Sequence, residues 1–116
     1  MKITFDLDGT LLKYPNELLS FAFFMRKAGH QVGILSGHGM WHLRDNVIPA
    51  LEKVGFKPDF YIGRDFEPTE SNWDHDIKNQ VWKPKMLEQH NIDIHFDDQI
   101  EGDIGVNNSG AKIIKV

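Results

Sequence analysis

Apolar and polar positions along this chain switch repeatedly between a period of two and a helical period. Ile3, Phe5 and Leu7 alternate with Thr4, Asp6 and Asp8, which predicts a first strand over residues 3–8. Such alternation puts the Asp6 and Asp8 carboxylates on one side of the chain. Leu18, Leu19, Phe21, Ala22 and Met25 then share a broad helical face that begins near Asn16 and Glu17 and stops at Gly29. Gln31 to Ser36, with Val32, Ile34 and Leu35, predicts a second strand. Residues 40–54 read as helical, with Gly55 as the stop, and Pro49 should kink this segment or start a new helix. Phe60-Tyr61-Ile62 predicts a third strand, followed by a polar, irregular stretch over residues 63–80. Pro84 suits the first turn of a helix through about Gln89. Ile92, Ile94 and Phe96 alternate into a fourth strand, and Ala111 to Val116 makes a fifth.

Strands alternating with helices imply βαβ units. The expected fold is therefore α/β, a Rossmann-like three-layer sandwich whose mostly parallel five-stranded sheet is covered on both faces. In such sheets ligands bind beyond the carboxyl ends of the strands. The polar residues gather at those ends. Asp6 and Asp8 follow the first strand, Ser36-Gly37-His38-Gly39 the second, and Asp97-Asp98 the fourth. There is no internal repeat, linker or low-complexity segment.

Composition narrows the class. The 116 residues fit one domain, residues 1–116, and 41% hydrophobic content suffices for a real core. With no cysteine, disulfides, thiolate zinc sites and cysteine nucleophiles are excluded. Met1 and Lys2 run directly into the first strand, so no signal peptide is expected. No apolar run approaches the ~20 residues of a membrane span, so no membrane partner is expected and the cytoplasm is the default location. The net charge of −4, with no basic block, argues against extended binding along a phosphate backbone.

The chemistry concentrates in Asp6-Leu7-Asp8-Gly9-Thr10. Two neighbouring carboxylates repel, and become favourable when a hard divalent cation sits between them and a substrate anion. Asp-Gly is also an ordinary turn signal, and Asp-rich loops often cap strands with no chemistry. The full run is more specific. It resembles the first motif of the haloacid dehalogenase (HAD) superfamily, Asp-x-Asp-Gly-Thr after a hydrophobic strand.

That resemblance implies a Mg²⁺-dependent phosphatase acting on phosphate monoesters. Asp6 would be the nucleophile that forms an aspartyl-phosphate, and Asp8 the general acid and then base. An acid two residues after the nucleophile goes, in this superfamily, with phosphatases and phosphotransferases. Ser36 is similar to the second motif, a strand-end Ser or Thr that hydrogen-bonds the phosphoryl group, and Gly37 would add a backbone N–H. Lys83, before Pro84, resembles the third motif, a lysine that neutralises the nucleophile and phosphate, with Lys85 competing for the role. Ile94-His95-Phe96-Asp97-Asp98 is similar to the fourth. The implied metal ligands are the Asp6 carboxylate, the Asp8 backbone carbonyl and Asp98, with Asp97 as the alternative to Asp98 and Asp103 as support.

The short gap from Leu11 to Pro15 and the modest Arg64–Trp82 segment resemble a capless member with an open site. Substrates are then expected to be nucleotides or macromolecular phosphate ends, or else a second copy of the chain covers the site. His38 and Trp41 could touch substrate by stacking on a base, against the plainer expectation of a core Trp41 and a solvent-facing His38. Asp74-His75-Asp76 resembles a metal cluster, against the plainer expectation of a solvated loop. The alternatives to an enzyme are a catalytically inactive relative and a receiver-type phosphate- and Mg²⁺-binding module. The receiver order of motifs differs, since receivers place the acidic pair on the first strand.

Overall fold

The computed structural model describes residues 1–64, 82–98 and 110–116. Its centre is β1 (Lys2–Phe5), flanked by β2 (Gln31–Ser36) and β4 (Ile94–Asp97), with β3 (Phe60–Gly63) and β5 (Lys112–Lys115) outside. The order is β3-β2-β1-β4-β5 and every pairing is parallel. Parallel neighbours need crossovers, and among the described residues helices follow β1, β2 and β3 and precede the next strand. These are α1 (Pro15–Lys27), α2 (Met40–His42), α3 (Ile48–Lys53) and α4 (82–89). Among the described residues no helix is long and apolar enough to cross a membrane.

Strand parity sorts the side chains. Ile3 and Phe5 point to one face with Val32, Ile34 and Phe96, where they pack against Ala22 of α1, Leu51 of α3 and Leu43 just before α3. Phe5 and Phe96 stack at 4.8 Å, and Phe21 meets both edge-on. Leu35 and Ile62 point to the other face and pack with Leu87 of α4 and Ile92. Beside them, on that same face, stand Thr4 and His95, paired across β1 and β4.

The first strand is shorter than its alternation predicts. It ends at Phe5, and Leu7–Leu11 winds into a wide turn. Leu12 N–H donates to Leu7 O at 3.0 Å and Leu11 N–H to Asp6 O at 3.2 Å. Burying Leu7 and Leu11 together drives this winding, and a strand would carry them apart. Gly9 makes the turn possible at φ +73°, and a Cβ there would stand 2.6 Å from Asp98 Cγ. The consequence is that Asp6 and Asp8 do not share one environment. Asp6 is buried and Asp8 is exposed.

Residues 40–53 are helical, with a widened turn over Leu43–Val47 just before Pro49. Pro49 lies in the first turn of α3, where its missing N–H is harmless, so the proline starts a new helix.

Candidate active site

Two strand ends and one helix start converge at the carboxyl edge of the sheet. Asp6 follows β1, and its N–H continues the ladder by donating to Phe96 O at 2.9 Å. Asp97 closes β4, and Asp98 follows it. Lys83 enters from the first turn of α4. Its Nζ donates to Asp6 Oδ1 at 3.2 Å and to Asp97 Oδ2 at 3.0 Å, with all three residues buried. Lys85 is exposed on the same helix. Of the two lysines, Lys83 is the one brought to the carboxylates.

Behind this pair runs a second polar layer. His95 is fully buried, and its Nε2 lies 2.9 Å from Asp97 Oδ2 while its Nδ1 lies 2.8 Å from Thr4 Oγ1. A carboxylate only accepts, so Nε2–H donates to Asp97 and the Thr4 hydroxyl donates to Nδ1. Asp97 is thereby held from two sides, by Lys83 and by His95. His95 is a site residue that the motifs do not single out. Its signal was a polar residue in strand register with Thr4, two positions before Asp97.

Asp6, Asp97 and Asp98 each offer an oxygen within 4.8 Å of the others. Three carboxylates face one ammonium, an excess of negative charge in a buried place. Burial pushes the Asp6 carboxyl up to about 7 against the pull of Lys83, and the Asp97 and Asp98 charges add to the push. Burial opposes the charge on Lys83 too, but Asp6 and Asp97 outweigh it and hold Lys83 above its ordinary value. Lys83 is therefore charged, and Asp6 gives up its proton reluctantly. Burial also keeps His95 below the usual imidazole range.

This arrangement fits a hard cation. Among the described residues Asp98 Oδ1 is buried without a hydrogen-bond partner, as is the neighbouring motif hydroxyl, Thr10 Oγ1. An ionised oxygen left bare in this way is costly unless a cation or its water meets it. Asp97 already carries two donors, so Asp98 and Asp6 are the better placed direct ligands.

Ser36 ends β2, buried, and its Oγ accepts from His38 N–H at 3.3 Å; Gly37 beside it is buried too. Asp8 stands apart from the acidic cluster with its side chain 71% exposed, 2.6 Å from His38 Nε2. His38 is thus half-exposed and engaged by Asp8, where solvent alone was expected. Trp41 does not pack in the core, because it lies on the outward side of the short helix α2 at 57% exposure. Asp103 and Asp74-His75-Asp76 lie outside the described residues.

No family model and no curated protein matches the chain. Two solved structures are similar in fold. One is "Structure of the Pnkp1/Rnl/Hen1 RNA repair complex", with a TM-score of 0.64 and 19% identity over 99% of this chain and 42% of that one. The other is a glycosyltransferase from Rickettsia africae ESF-5, with a TM-score of 0.60 and 13% identity over 98% of this chain and 28% of that one. The chain therefore spans less than half the length of either. At these identities the likeness establishes a shared α/β fold.

Proposed function

We propose that this chain is a Mg²⁺-dependent phosphomonoesterase of the HAD type, working through an aspartyl-phosphate on Asp6. The observation that supports it most is the meeting of Asp6, Lys83, Asp97 and Asp98 at one strand edge, in the order and placement the sequence motifs imply. Phosphate monoesters are among the slowest substrates to hydrolyse in water, with enzymic accelerations up to about 10²¹-fold, so a nucleophile, charge neutralisation and a proton source are all needed.

In the proposed reaction an Asp6 oxygen attacks phosphorus and the bond to the ester oxygen breaks. Asp8 gives its proton to that departing oxygen. Water then attacks the aspartyl-phosphate, Asp8 takes the water's proton, and the bond from phosphorus to Asp6 breaks to release inorganic phosphate. Lys83 keeps Asp6 aligned and balances the charge of the transferred group. Ser36 Oγ and the Gly37 N–H are the donors for its oxygens. Mg²⁺, held by Asp6, Asp98 and the Asp8 carbonyl, would supply Lewis-acid neutralisation of the phosphoryl oxygens. The proposal keeps the cytoplasmic setting expected from the sequence.

The test is phosphate release from a panel of esters with Mg²⁺, with EDTA, and with Asp6→Asn. The expected result is release that depends on Mg²⁺ and falls by at least about 10³-fold in the variant. Unchanged release with EDTA or in Asp6→Asn contradicts the mechanism.

A further inference from the structure

The phosphoryl chemistry leaves unused a row of rings beside Asp8. It begins at His38, whose Nε2 contacts Asp8 Oδ2 at 2.6 Å. The His42 ring follows, 4.8 Å from His38 between centroids, and Trp41 stands edge-on to His42 at 5.6 Å. A single exposed apolar side chain is ordinary. Here three consecutive rings run outward from a candidate catalytic carboxylate, and the outermost is an indole more than half open to solvent.

The row is also firmly seated. Arg64 N–H donates to His38 O at 2.8 Å. A Cβ on Gly63 would stand 2.6 Å from His38 O and 2.9 Å from Met40 N, so the loop rests directly on the end of β3. A Cβ on Gly39 would lie 2.9 Å from Trp41 Nε1, so the indole is laid against bare backbone. His42 is oriented in turn by Asn46, with Nδ2 3.2 Å from Nδ1. Backbone contacts seat the loop, and hydrogen bonds to Asp8 and Asn46 orient the His38 and His42 rings, which lowers the entropy lost when a ligand stacks on them.

We propose that His38, His42 and Trp41 form a base-stacking platform, so that the ester taken by this site is a nucleotide or the phosphorylated end of a nucleic acid strand. The proposal deepens the phosphatase reading and rests on it for the phosphate end of the ligand. A nucleotide carries a phosphate and a flat π face joined by one sugar, which matches an anion site continued by a row of rings. A sugar phosphate has the anion without the plane. A phospholipid has apolar chains that a row of upright rings does not enclose. Stacking on a ring face tolerates every base, so little preference among bases follows.

The test measures equilibrium binding with Mg²⁺ in the Asp6→Asn background, which halts turnover and leaves the rings intact. The ligands are adenosine monophosphate, ribose 5-phosphate and short oligonucleotides phosphorylated at either end. The nucleotide or one of the oligonucleotides should bind about 10-fold or more tighter than ribose 5-phosphate. Trp41→Ala should erase that advantage without changing ribose 5-phosphate binding, and Trp41→Phe should keep most of it. Equal affinity for ribose 5-phosphate and every base-bearing ligand overturns the platform, and so does a Trp41→Ala variant that keeps the advantage. Phosphate release by the unaltered chain reads the chemistry separately. Its failure on every ester would remove the phosphatase reading, while the binding contrast still decides the platform.

Discussion

The two faces of the central strands are built on opposite terms. On one, Ile3, Phe5, Ile34 and Phe96 close against α1 and α3 as one cluster of buried apolar side chains. On the other, Thr4, His95, Asp97, Lys83 and Asp6 form a continuous buried chain of hydrogen bonds and ion pairs. A buried apolar group gains free energy wherever it is packed, and its exact neighbours matter little. A buried ion must find its partner or pay desolvation, so its geometry is over-determined. The apolar face therefore holds the fold, and the polar face positions charge.

The largest contrast should come from the two lysines. Lys83→Ala removes the donor to Asp6 and Asp97 and should lower kcat per folded molecule by about 100-fold. Lys85→Ala, an exposed change on the same helix, should stay within about twofold. The reverse ranking would move the neutralising role off the polar face.

The pH dependence of stability sharpens the same contrast. In the metal-free protein the Asp6 carboxyl titrates near 7 when folded, against 3.8 as its ordinary value. Between those values the folded state binds the proton and the unfolded state does not, so Asp6 makes the protein less stable as pH rises from about 4 to 7. Asp6→Asn removes this penalty. The Tm of the variant minus that of the parent should grow across this window and level off above it. A difference that stays flat with pH would mean that Asp6 is not held protonated by its burial.

The smallest effects separate fold from positioning. Ile34→Val trims the apolar face and should cost about 1 kcal/mol of stability with no change in kcat per folded molecule. Thr4→Val keeps the shape of its side chain but removes the donor to His95 Nδ1. It should cost about 1 kcal/mol as well, and lower kcat several-fold by loosening Asp97. Equal kcat in both variants would make the Thr4–His95 layer purely structural.

The sheet and its order of elements were legible because apolar periodicity is a backbone-level signal. Val32, Ile34 and Leu35 could only be a buried strand, and β2 runs from Gln31 to Ser36 as expected. The end of β1 was not legible. Alternation continued through Asp8, yet the joint burial of Leu7 and Leu11 and the permissive Gly9 wound the chain away after Phe5. The preference for Lys83 over Lys85 rested on the Lys83-Pro84 step at a helix start, which resembles the third motif, and the contact to Asp6 singles Lys83 out. The place of His95 depends on cross-strand register, and the seating of the His38–Met40 loop on the close approach of Gly63 at the end of β3, neither of which local pattern encodes.

The nucleophilic role of Asp6 is tested most directly by trapping. Asp8→Asn should still let Asp6 attack an ester with a good leaving group, but it slows hydrolysis of the product. Acid quench during turnover of an aryl phosphate with Mg²⁺, followed by peptide mass analysis, should find one phosphoryl group on Asp6 in Asp8→Asn and none in Asp6→Asn. Steady turnover with no phosphoryl group on Asp6, or a group trapped on another residue, would contradict the mechanism.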